Sequence, residues 1–289
     1  PPGSLSGKRV VVTGASSGLG RAAAVGVARL GGAVHLVGRS AERLEAAAQH
    51  VRQQVPAADL AVDPCDVSDL DDVRRYAADL AGRTDSLHAL VHNAGVMPPE
   101  RTESAQGHEL ALATHVLGPF LLTDLLRERL AADADARVLW VSSGGMYAKP
   151  FTHEIAQDLE YERDTYSGAT AYARTKRMQV IVAAMLSERL VGDDTVVHSM
   201  HPGWADTPGV QASLPRFARF AGPLLRSAAD GADTIVWLTA APEVAGTTGL
   251  FWQDRRPRPI TYLPTQLETA DDRQRLWDFC CAATDDTPA

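Results

Sequence analysis

The chain has 289 residues, which fits one large domain or two small ones, and 45% of them are apolar, enough for a sizeable core. A net charge of −8 argues against nucleic acid or an anionic membrane as a partner. The odd number of cysteines, two of them adjacent, indicates reduced thiols in a cytoplasmic protein, and no apolar run approaches the ~18 residues of a membrane span.

Short apolar runs alternate along the chain with longer segments of helical periodicity. Near-continuous apolar strands separated by helices indicate a parallel sheet that is covered on both faces. We therefore predict a single-domain, doubly wound α/β (Rossmann) fold with a seven-stranded parallel sheet and helices on both faces. The predicted strands cover residues 9–13, 33–37, 59–62, 87–91, 137–141, 195–200 and 249–252.

The helices and the domain limits follow from the same pattern. Ser40 and Ser68 each precede a helical segment and are candidate N-caps. Because no repeat, low-complexity tract or linker divides the chain, we expect one domain over 7–289, preceded by a flexible segment over 1–6. The long helices are predicted over 107–130, 169–190 and 270–282.

A glycine-rich turn follows the first predicted strand and opens an alanine-rich helix. Glycines allow a tight turn and let backbone amides approach a pyrophosphate, while the helix N-terminus supplies free N–H groups and the positive end of its dipole. The turn predicts a dinucleotide site; the alternative is a connector that binds no ligand. Its spacing is Gly-x-x-x-Gly-x-Gly, and its candidate binding residues are Gly14, Ser16, Ser17, Gly18, Leu19 and Gly20.

The end of the second predicted strand bears on which dinucleotide binds. An acidic residue there would hydrogen-bond the ribose 2′-hydroxyl of NAD, whereas an arginine accommodates the 2′-phosphate of NADP. The chain has Arg39 and no acid at this point, so we expect NADP(H) to be preferred over NAD(H). The alternative is an exposed arginine at the start of a helix.

Tyr172 and Lys176 stand four residues apart near the start of a predicted helix, so their side chains share one face. The pKa of a free tyrosine is about 10, and a nearby cation lowers it. The spacing therefore predicts a tyrosine tuned for proton transfer, although such a pair is more often a pair of surface neighbours.

These motifs, in this order, resemble the short-chain dehydrogenase/reductase family over about residues 7–265. The segments at 141–146 and 200–210 are similar to the dehydrogenase/reductase family member 12 group, which lies near the retinol dehydrogenases. Beyond the glycine turn and the Tyr-x-x-x-Lys pair, the matching positions are Asp66 and Val67 beside the adenine, Asn93, Ala94 and Gly95 after the fourth strand, Ser143 at the end of the fifth, and Pro202, Gly203 and Thr207 beside the nicotinamide.

The resemblance implies a function and a set of roles. Hydride would pass between the nicotinamide and a carbonyl or alcohol carbon, with Ser143 hydrogen-bonding the substrate oxygen. Tyr172 would act as the general acid or base toward that oxygen. Lys176 would lower the pKa of the tyrosine and hold the nicotinamide ribose.

The chain departs from the family pattern at His115. The family keeps an asparagine there, which typically supports a water linking the lysine to solvent. A histidine could serve such a relay, could pack neutrally with its nitrogens satisfied, or could impair catalysis. In the last case the chain would be a dinucleotide-binding regulatory or scaffold protein with weak or lost catalysis.

A second departure is the 29-residue separation of Ser143 and Tyr172, which is longer than in many family members. The extra stretch over 149–167, called the insertion below, is polar and acidic. Because it precedes the helix through which family members commonly form dimers, a homo-oligomer is possible but in doubt.

The segment at about 204–226 is expected to cover the substrate as a lid. Apolar residues recur along it, and Trp204, Met146 and Tyr147 could add to the same pocket, with core packing as the alternative. We expect a small apolar carbonyl or alcohol as substrate and predict no metal site. The apolar lid residues are Val210, Leu214, Phe217 and Phe220.

Overall fold

One sheet of eight strands forms the centre of the structure. The strands are β1 (Arg9–Thr13), β2 (Ala33–Gly38), β3 (Leu60–Pro64), β4 (Ala89–His92), β5 (Arg137–Val141), β6 (Val196–Met200), β7 (Phe251–Gln253) and β8 (Arg256–Pro257). In space their order is β3-β2-β1-β4-β5-β6-β7-β8, and every neighbouring pair up to β7 is parallel. The computed structural model describes residues 3–205, 225–262 and 268–285.

Helices cover both faces of this sheet, which confirms the predicted doubly wound fold. The described helices are α1 (Gly18–Arg29), α2 (Ala41–Gln54), α3 (Leu70–Arg83), α4 (Leu110–Leu112), α5 (Gly118–Leu125), α6 (Arg127–Ala131), α7 (His153–Ala156), α8 (Gly168–Arg189), α9 (Ala228–Ala240) and α10 (Ala270–Ala283). On one face lie α1, α2 and α9, and on the other α3, α5 and α8. None of these described helices is both long enough and apolar enough to cross a membrane.

The residues of β1 show why its sequence is apolar throughout. Val10 and Val12 belong to the core beneath α1 and α9, whereas Val11 belongs to the core beneath α3 and α8. All three are fully buried. Because side chains alternate along a strand, a strand covered on both faces needs an apolar residue at every position.

The sheet has one strand more than predicted. β8 pairs antiparallel with β7, and the turn between them contains Asp254 and Arg255, with φ of 53° and 56°. Two successive residues in the left-handed region suit a tight hairpin. A strand of two residues is too short to show alternation, so its periodicity could not reveal it.

The start of the chain also differs from the prediction. Residues 3–6 were expected to be flexible, but Leu5 is buried beside α1, at 1% exposure. Its N–H donates to the Leu30 carbonyl at 3.0 Å. One buried leucine and one backbone hydrogen bond attach this segment to the fold.

One of the two predicted N-caps is correct. Ser40 caps α2 by accepting a hydrogen bond from the Arg43 N–H at 3.3 Å. The prediction for Ser68 is wrong, because Asp69 caps α3 and accepts from the N–H groups of Asp71 and Asp72. A charged carboxylate at this position also meets the positive end of the helix dipole.

The long helix predicted over 107–130 is divided into pieces. It begins at Leu110, passes through a π-helical turn at Ala113–Leu117, continues as α5 and breaks at Leu126. A π turn carries an extra residue and rotates the side chains that follow it. His115 lies in that turn.

The C-terminal helix and the insertion cover the outer face of α8. Trp277 of α10 packs edge-on against Phe120, with 5.1 Å between ring centroids, and the Arg189 guanidinium lies 3.8 Å over the Trp277 ring. From the insertion, Asp158 forms an ion pair with Arg174 of α8 at 3.6 Å. These contacts bring α8 into the interior of the chain.

Two helical glycines provide a test of the close approach around α5. A Cβ added at Gly118 would lie 1.8 Å from the Val67 carbonyl oxygen, whereas one added at Gly82 would meet nothing within 4 Å. We expect Gly118→Ala to lower the free energy of unfolding by about 3 kcal/mol, because backbone must move. Gly82→Ala should raise it by about 0.5–1 kcal/mol.

Urea unfolding of both variants measures the difference. Equal effects of the two substitutions would show that the contact between α5 and the loop after β3 is not a tight one.

Candidate active site

The candidate residues gather at one edge of the sheet, where the parallel strands have their carboxyl ends. From β1 the chain order runs outward to β2 and β3 on one side and to β4 and β5 on the other. Such a reversal opens a crevice between the two central strands, and ligands of doubly wound folds bind there. The glycine turn follows β1, and Asn93, Ala94 and Gly95 follow β4.

The glycine turn has the shape that a pyrophosphate site requires. Gly14 and Gly18 have φ of 66° and 53°, a region that favours glycine. A Cβ at Gly20 would lie 2.4 Å from the Gly14 carbonyl oxygen, so only a glycine there lets the turn over residues 14–20, called the glycine cradle below, close on itself. Ser17 precedes α1 in extended conformation, and its side chain makes no capping hydrogen bond, which leaves the first N–H groups of α1 available.

Thr13 ties the two central strands together. Its Oγ1 accepts hydrogen bonds from the N–H groups of Asn93 (3.0 Å) and Ala94 (3.1 Å). The Asn93 side-chain amide donates back to the Thr13 carbonyl at 2.9 Å. Asn93 therefore acts here as a brace for the turn, and the floor of the crevice is fixed before any ligand binds.

The residues predicted to meet the adenosine end lie at the ends of β2 and β3. Arg39 follows β2 directly and is exposed. The Asp66 carboxylate accepts from the Ser68 N–H (3.0 Å) and hydroxyl (2.7 Å), while Val67 is buried. The sheet thus brings Arg39 and Asp66 to the same edge as the glycine turn.

Ser143, Tyr172 and Lys176 come together between β5 and α8. Ser143 follows β5, and its Oγ accepts a hydrogen bond from the Gly145 N–H at 3.1 Å. Tyr172 lies on the other side of Gly145, near enough to Ser143 for the hydroxyl to lower the pKa of the phenol. One turn further along α8, the Lys176 ammonium lies 5.4 Å from the centroid of the tyrosine ring.

Burial determines how these two groups ionise. It raises the pKa of Tyr172, and the Ser143 hydroxyl opposes this in part. It lowers the pKa of Lys176 to about 7. The expectation that Lys176 lowers the pKa of the tyrosine is not met in this structure. The ammonium instead donates to the Val141 carbonyl (2.9 Å) and to Gln179 Oε1 (3.0 Å).

His115 is fully buried, and both of its ring nitrogens have partners. Nε2 lies 2.9 Å from the Val96 N–H, which can only donate, so Nε2 is the acceptor and Nδ1 carries the proton. Nδ1 then donates to Thr175 Oγ1 at 2.8 Å. Burial, together with the nearby Lys176 charge, holds the pKa of His115 well below its usual range. The ring is therefore a neutral brace between the loop after β4 and α8, which fits the alternative of neutral packing.

The predicted nicotinamide side is partly described. Pro202 and Gly203 are buried after β6, and Gly203 has φ of 78°. Thr207 and the apolar lid residues lie outside the described residues. The chain is described up to Ala205 and again from residue 225, and Ala205 forms a parallel bridge with Arg226. The N–H of Arg226 donates to the Trp204 carbonyl at 2.8 Å.

The side chains expected to add to the pocket have different surroundings. Met146 is fully buried in a small core cluster with Val180 and Phe251, so it packs as a core residue. Trp204 is 57% exposed. The hydroxyl of Tyr147 donates to the Pro259 carbonyl at 2.7 Å.

Three residues around this site were not singled out in the sequence. Thr13 stands at the head of the glycine motif but was noted only as part of it. Thr175 and Gln179 are polar positions on the buried face of α8, at 2% and 0% exposure. Thr175 and Gln179 could have been found from the sequence, because each is a polar residue among the apolar positions of a buried helix.

The doubly wound sheet, the glycine cradle and the Ser–Tyr–Lys group define a dinucleotide-dependent oxidoreductase. A family model described as short chain dehydrogenase matches residues 8–155. The chain belongs to the short-chain dehydrogenase/reductase family, whose members use a nicotinamide dinucleotide and act on alcohol and carbonyl groups.

Curated relatives confirm the predicted branch. Dehydrogenase/reductase SDR family member 12 from Bos taurus is 38% identical over 90% of this chain and 80% of its own length. Retinol dehydrogenase 12 from Homo sapiens is 32% identical over 96% of this chain and 86% of its own. DnrU of Streptomyces sp. (strain C5), whose name proposes a daunorubicin C-13 ketoreductase activity, is 39% identical over 99% of this chain and 96% of its own.

A solved structure shows the same fold. It is described as a short chain dehydrogenase from Escherichia coli CFT073 complexed with NADPH, and it superposes with a TM-score of 0.70 at 23% identity. The match covers 87% of this chain and 98% of that structure's chain.

Proposed function

We propose that this protein is an NADP(H)-dependent carbonyl reductase or alcohol dehydrogenase in which Tyr172 is the general acid or base. The observation that carries the proposal is that Ser143 and Tyr172 lie on either side of Gly145 at the carboxyl edge of the sheet, where a Cβ at Gly145 would lie 3.6 Å from the Ser143 Oγ and 3.7 Å from the Tyr172 ring. Two neighbouring hydroxyl groups can hold one substrate oxygen between them.

The ionisation of the site favours proton donation. Because burial raises the pKa of Tyr172, its phenol carries a proton at neutral pH and can deliver it to a carbonyl oxygen. Ser143 orients that oxygen and stabilises the charge that develops on it. The nicotinamide supplies the hydride when it is bound. Lys176 stands one turn further along α8, with its ammonium 5.4 Å from the centroid of the phenol ring.

The residues present fit NADP(H). Gly14 and Gly20 let the turn between β1 and α1 close tightly against Asn93 and Ala94, and the start of α1 offers free N–H groups to a pyrophosphate. Arg39 is exposed at the end of β2, where a guanidinium suits a 2′-phosphate. The NADPH complex of the Escherichia coli protein supports the same choice.

The substrate is an apolar molecule with a carbonyl or alcohol group. Two relatives carry the names of such molecules, retinol and daunorubicin. The exposed Trp204, directly after the buried Pro202 and Gly203, places an apolar ring near the nicotinamide side. The buried thiols of Cys65 and Cys280 support a reducing compartment such as the cytoplasm.

We also propose that the chain does not form dimers through α8. The Arg189–Trp277 contact places α10 against this helix, and the Asp158–Arg174 pair adds the insertion. A face that is buried within one chain is not available to a second copy.

Replacing the tyrosine tests the mechanism. Tyr172→Phe should reduce kcat by about 10²–10⁴-fold, because it removes the proton donor. NADPH affinity should stay nearly unchanged, since the glycine cradle is intact. The measurement is NADPH oxidation over a panel of apolar aldehydes and ketones, with NADPH binding followed by fluorescence.

The exposed Tyr262, at 71% exposure, supplies the matched control Tyr262→Phe. Full turnover in Tyr172→Phe would refute the assignment of the general acid.

Replacing Arg39 tests the cofactor preference. A hydrogen bond to a charged group contributes about 1.5–3 kcal/mol, so Arg39→Ala should raise the Kd of NADPH at least tenfold and leave that of NADH unchanged. Isothermal titration gives both constants. Arg43→Ala, at an exposed position on α2, is the control. Equal affinities for the two dinucleotides in the parent protein would contradict the preference.

The mass of the protein in solution, together with cross-linking, tests whether α8 forms a dimer interface. Light scattering after size exclusion gives the mass at micromolar concentration, and we expect that any dimer it detects does not cross-link through α8. A dimer cross-linked through α8 would overturn the proposal.

A further inference from the structure

Gln179 lies one turn after Lys176 on α8 and is fully buried. Both ends of its side-chain amide are used. Oε1 accepts from the Lys176 ammonium at 3.0 Å, and Nε2 donates to the His115 carbonyl at 2.9 Å. An ammonium can only donate and a carbonyl can only accept, so these partners fix the orientation of the amide.

The local sequence favours this contact. Four residues after His115 stands Pro119, which has no N–H and cannot supply the usual helical donor to the His115 carbonyl. The carbonyl lies in the π turn at Ala113–Leu117, where the hydrogen bonds are displaced by one residue, and the Gln179 amide gives it a side-chain donor.

We propose that Gln179 is a positioning residue that holds Lys176 beneath Tyr172 by linking its ammonium to the His115 carbonyl. The inference rests on the proposed function of Tyr172 and Lys176. In this chain the Gln179 side chain connects position 115 to the lysine. The family resemblance implies a water in the corresponding place.

The surroundings of Lys176 define what this link controls. The titratable groups that face the ammonium are Tyr172 on α8 and His115 on the π turn, while β5 presents the Val141 carbonyl. The charged neighbours on α8 are engaged elsewhere, Arg174 with Asp158 and Arg177 with Glu268. An acceptor for the ammonium stabilises its charged form, so the Gln179 amide bears directly on when Lys176 loses its proton.

Two substitutions of similar size separate positioning from packing. Gln179→Met removes the acceptor, whereas Gln179→Glu replaces it with a carboxylate. If the charged lysine is the active form, the alkaline limb of the kcat profile should move to lower pH in Gln179→Met and to higher pH in Gln179→Glu. Each shift should be about one pH unit, from the loss of a neutral hydrogen-bond acceptor in Gln179→Met and from the gain of an opposite charge in Gln179→Glu.

The measurement is kcat against pH for carbonyl reduction by the holoenzyme at saturating NADPH. Ser187→Ala is the control, because Ser187 is buried on the same helix and bonds only its own helix backbone at Ala184 among the contacts described. Its profile should match that of the parent. Urea unfolding of each variant shows how much stability has changed.

The outcomes are distinct. Limbs that move in opposite directions support the positioning role, including when both variants are less stable. Limbs that stay in place, or that move the same way, overturn it. If Tyr172→Phe abolishes turnover while the limbs stay fixed, the proposed function stands and the role of Gln179 falls. If Gln179→Met does not fold, the direction of the Gln179→Glu shift decides.

Discussion

The hydrogen bonds of Thr13 hold together the two strands between which the site opens. They join β1 to the loop after β4, at the point where strand order reverses. A net gain of about 1 kcal/mol for each such bond is modest, but their positions are decisive. They bring Gly14 so near to Ala94 that a Cβ at Gly14 would lie 2.8 Å from the Ala94 Cα. The glycine cradle and the loop that carries Gly95 therefore have one fixed separation, and the rest of the edge is built on it.

Beyond that floor, burial governs the chemistry. It keeps the phenol of Tyr172 protonated and leaves His115 neutral. It also lowers the pKa of Lys176, so that the ammonium loses its proton more readily. Each effect follows from the cost of a charge away from water. The Val141 carbonyl and Gln179 amide offset part of that cost for the lysine. The result is a site whose polar atoms are held by fixed partners before substrate arrives, which reduces the rearrangement needed during reaction.

The sequence predicted what periodicity and spacing encode, and it failed where three-dimensional contacts decide. Alternating apolar runs gave the seven strands from β1 to β7, because burial on both faces leaves a strong pattern, whereas the two residues of β8 leave none. The π turn at Ala113–Leu117 was not predicted, because one extra residue within a helix leaves no periodic signal in the sequence. The meeting of Ser143 with Tyr172 was expected only from the family resemblance. The spacing of Tyr172 and Lys176 did not show that the ammonium turns toward the Val141 carbonyl and Gln179. Its weak effect on the pKa of Tyr172 could therefore be seen only from distances in the structure.

The bridge between Ala205 and Arg226 has a consequence for how this enzyme can change over evolutionary time. The pairing joins the two described segments at the sheet edge, and Arg226 is also held by Asp254. Closing a longer stretch between two fixed points adds only about 0.6 kcal/mol for each doubling of its length. Insertions between these two anchor points would therefore cost the fold little, while the residues around Tyr172 would be inherited unchanged.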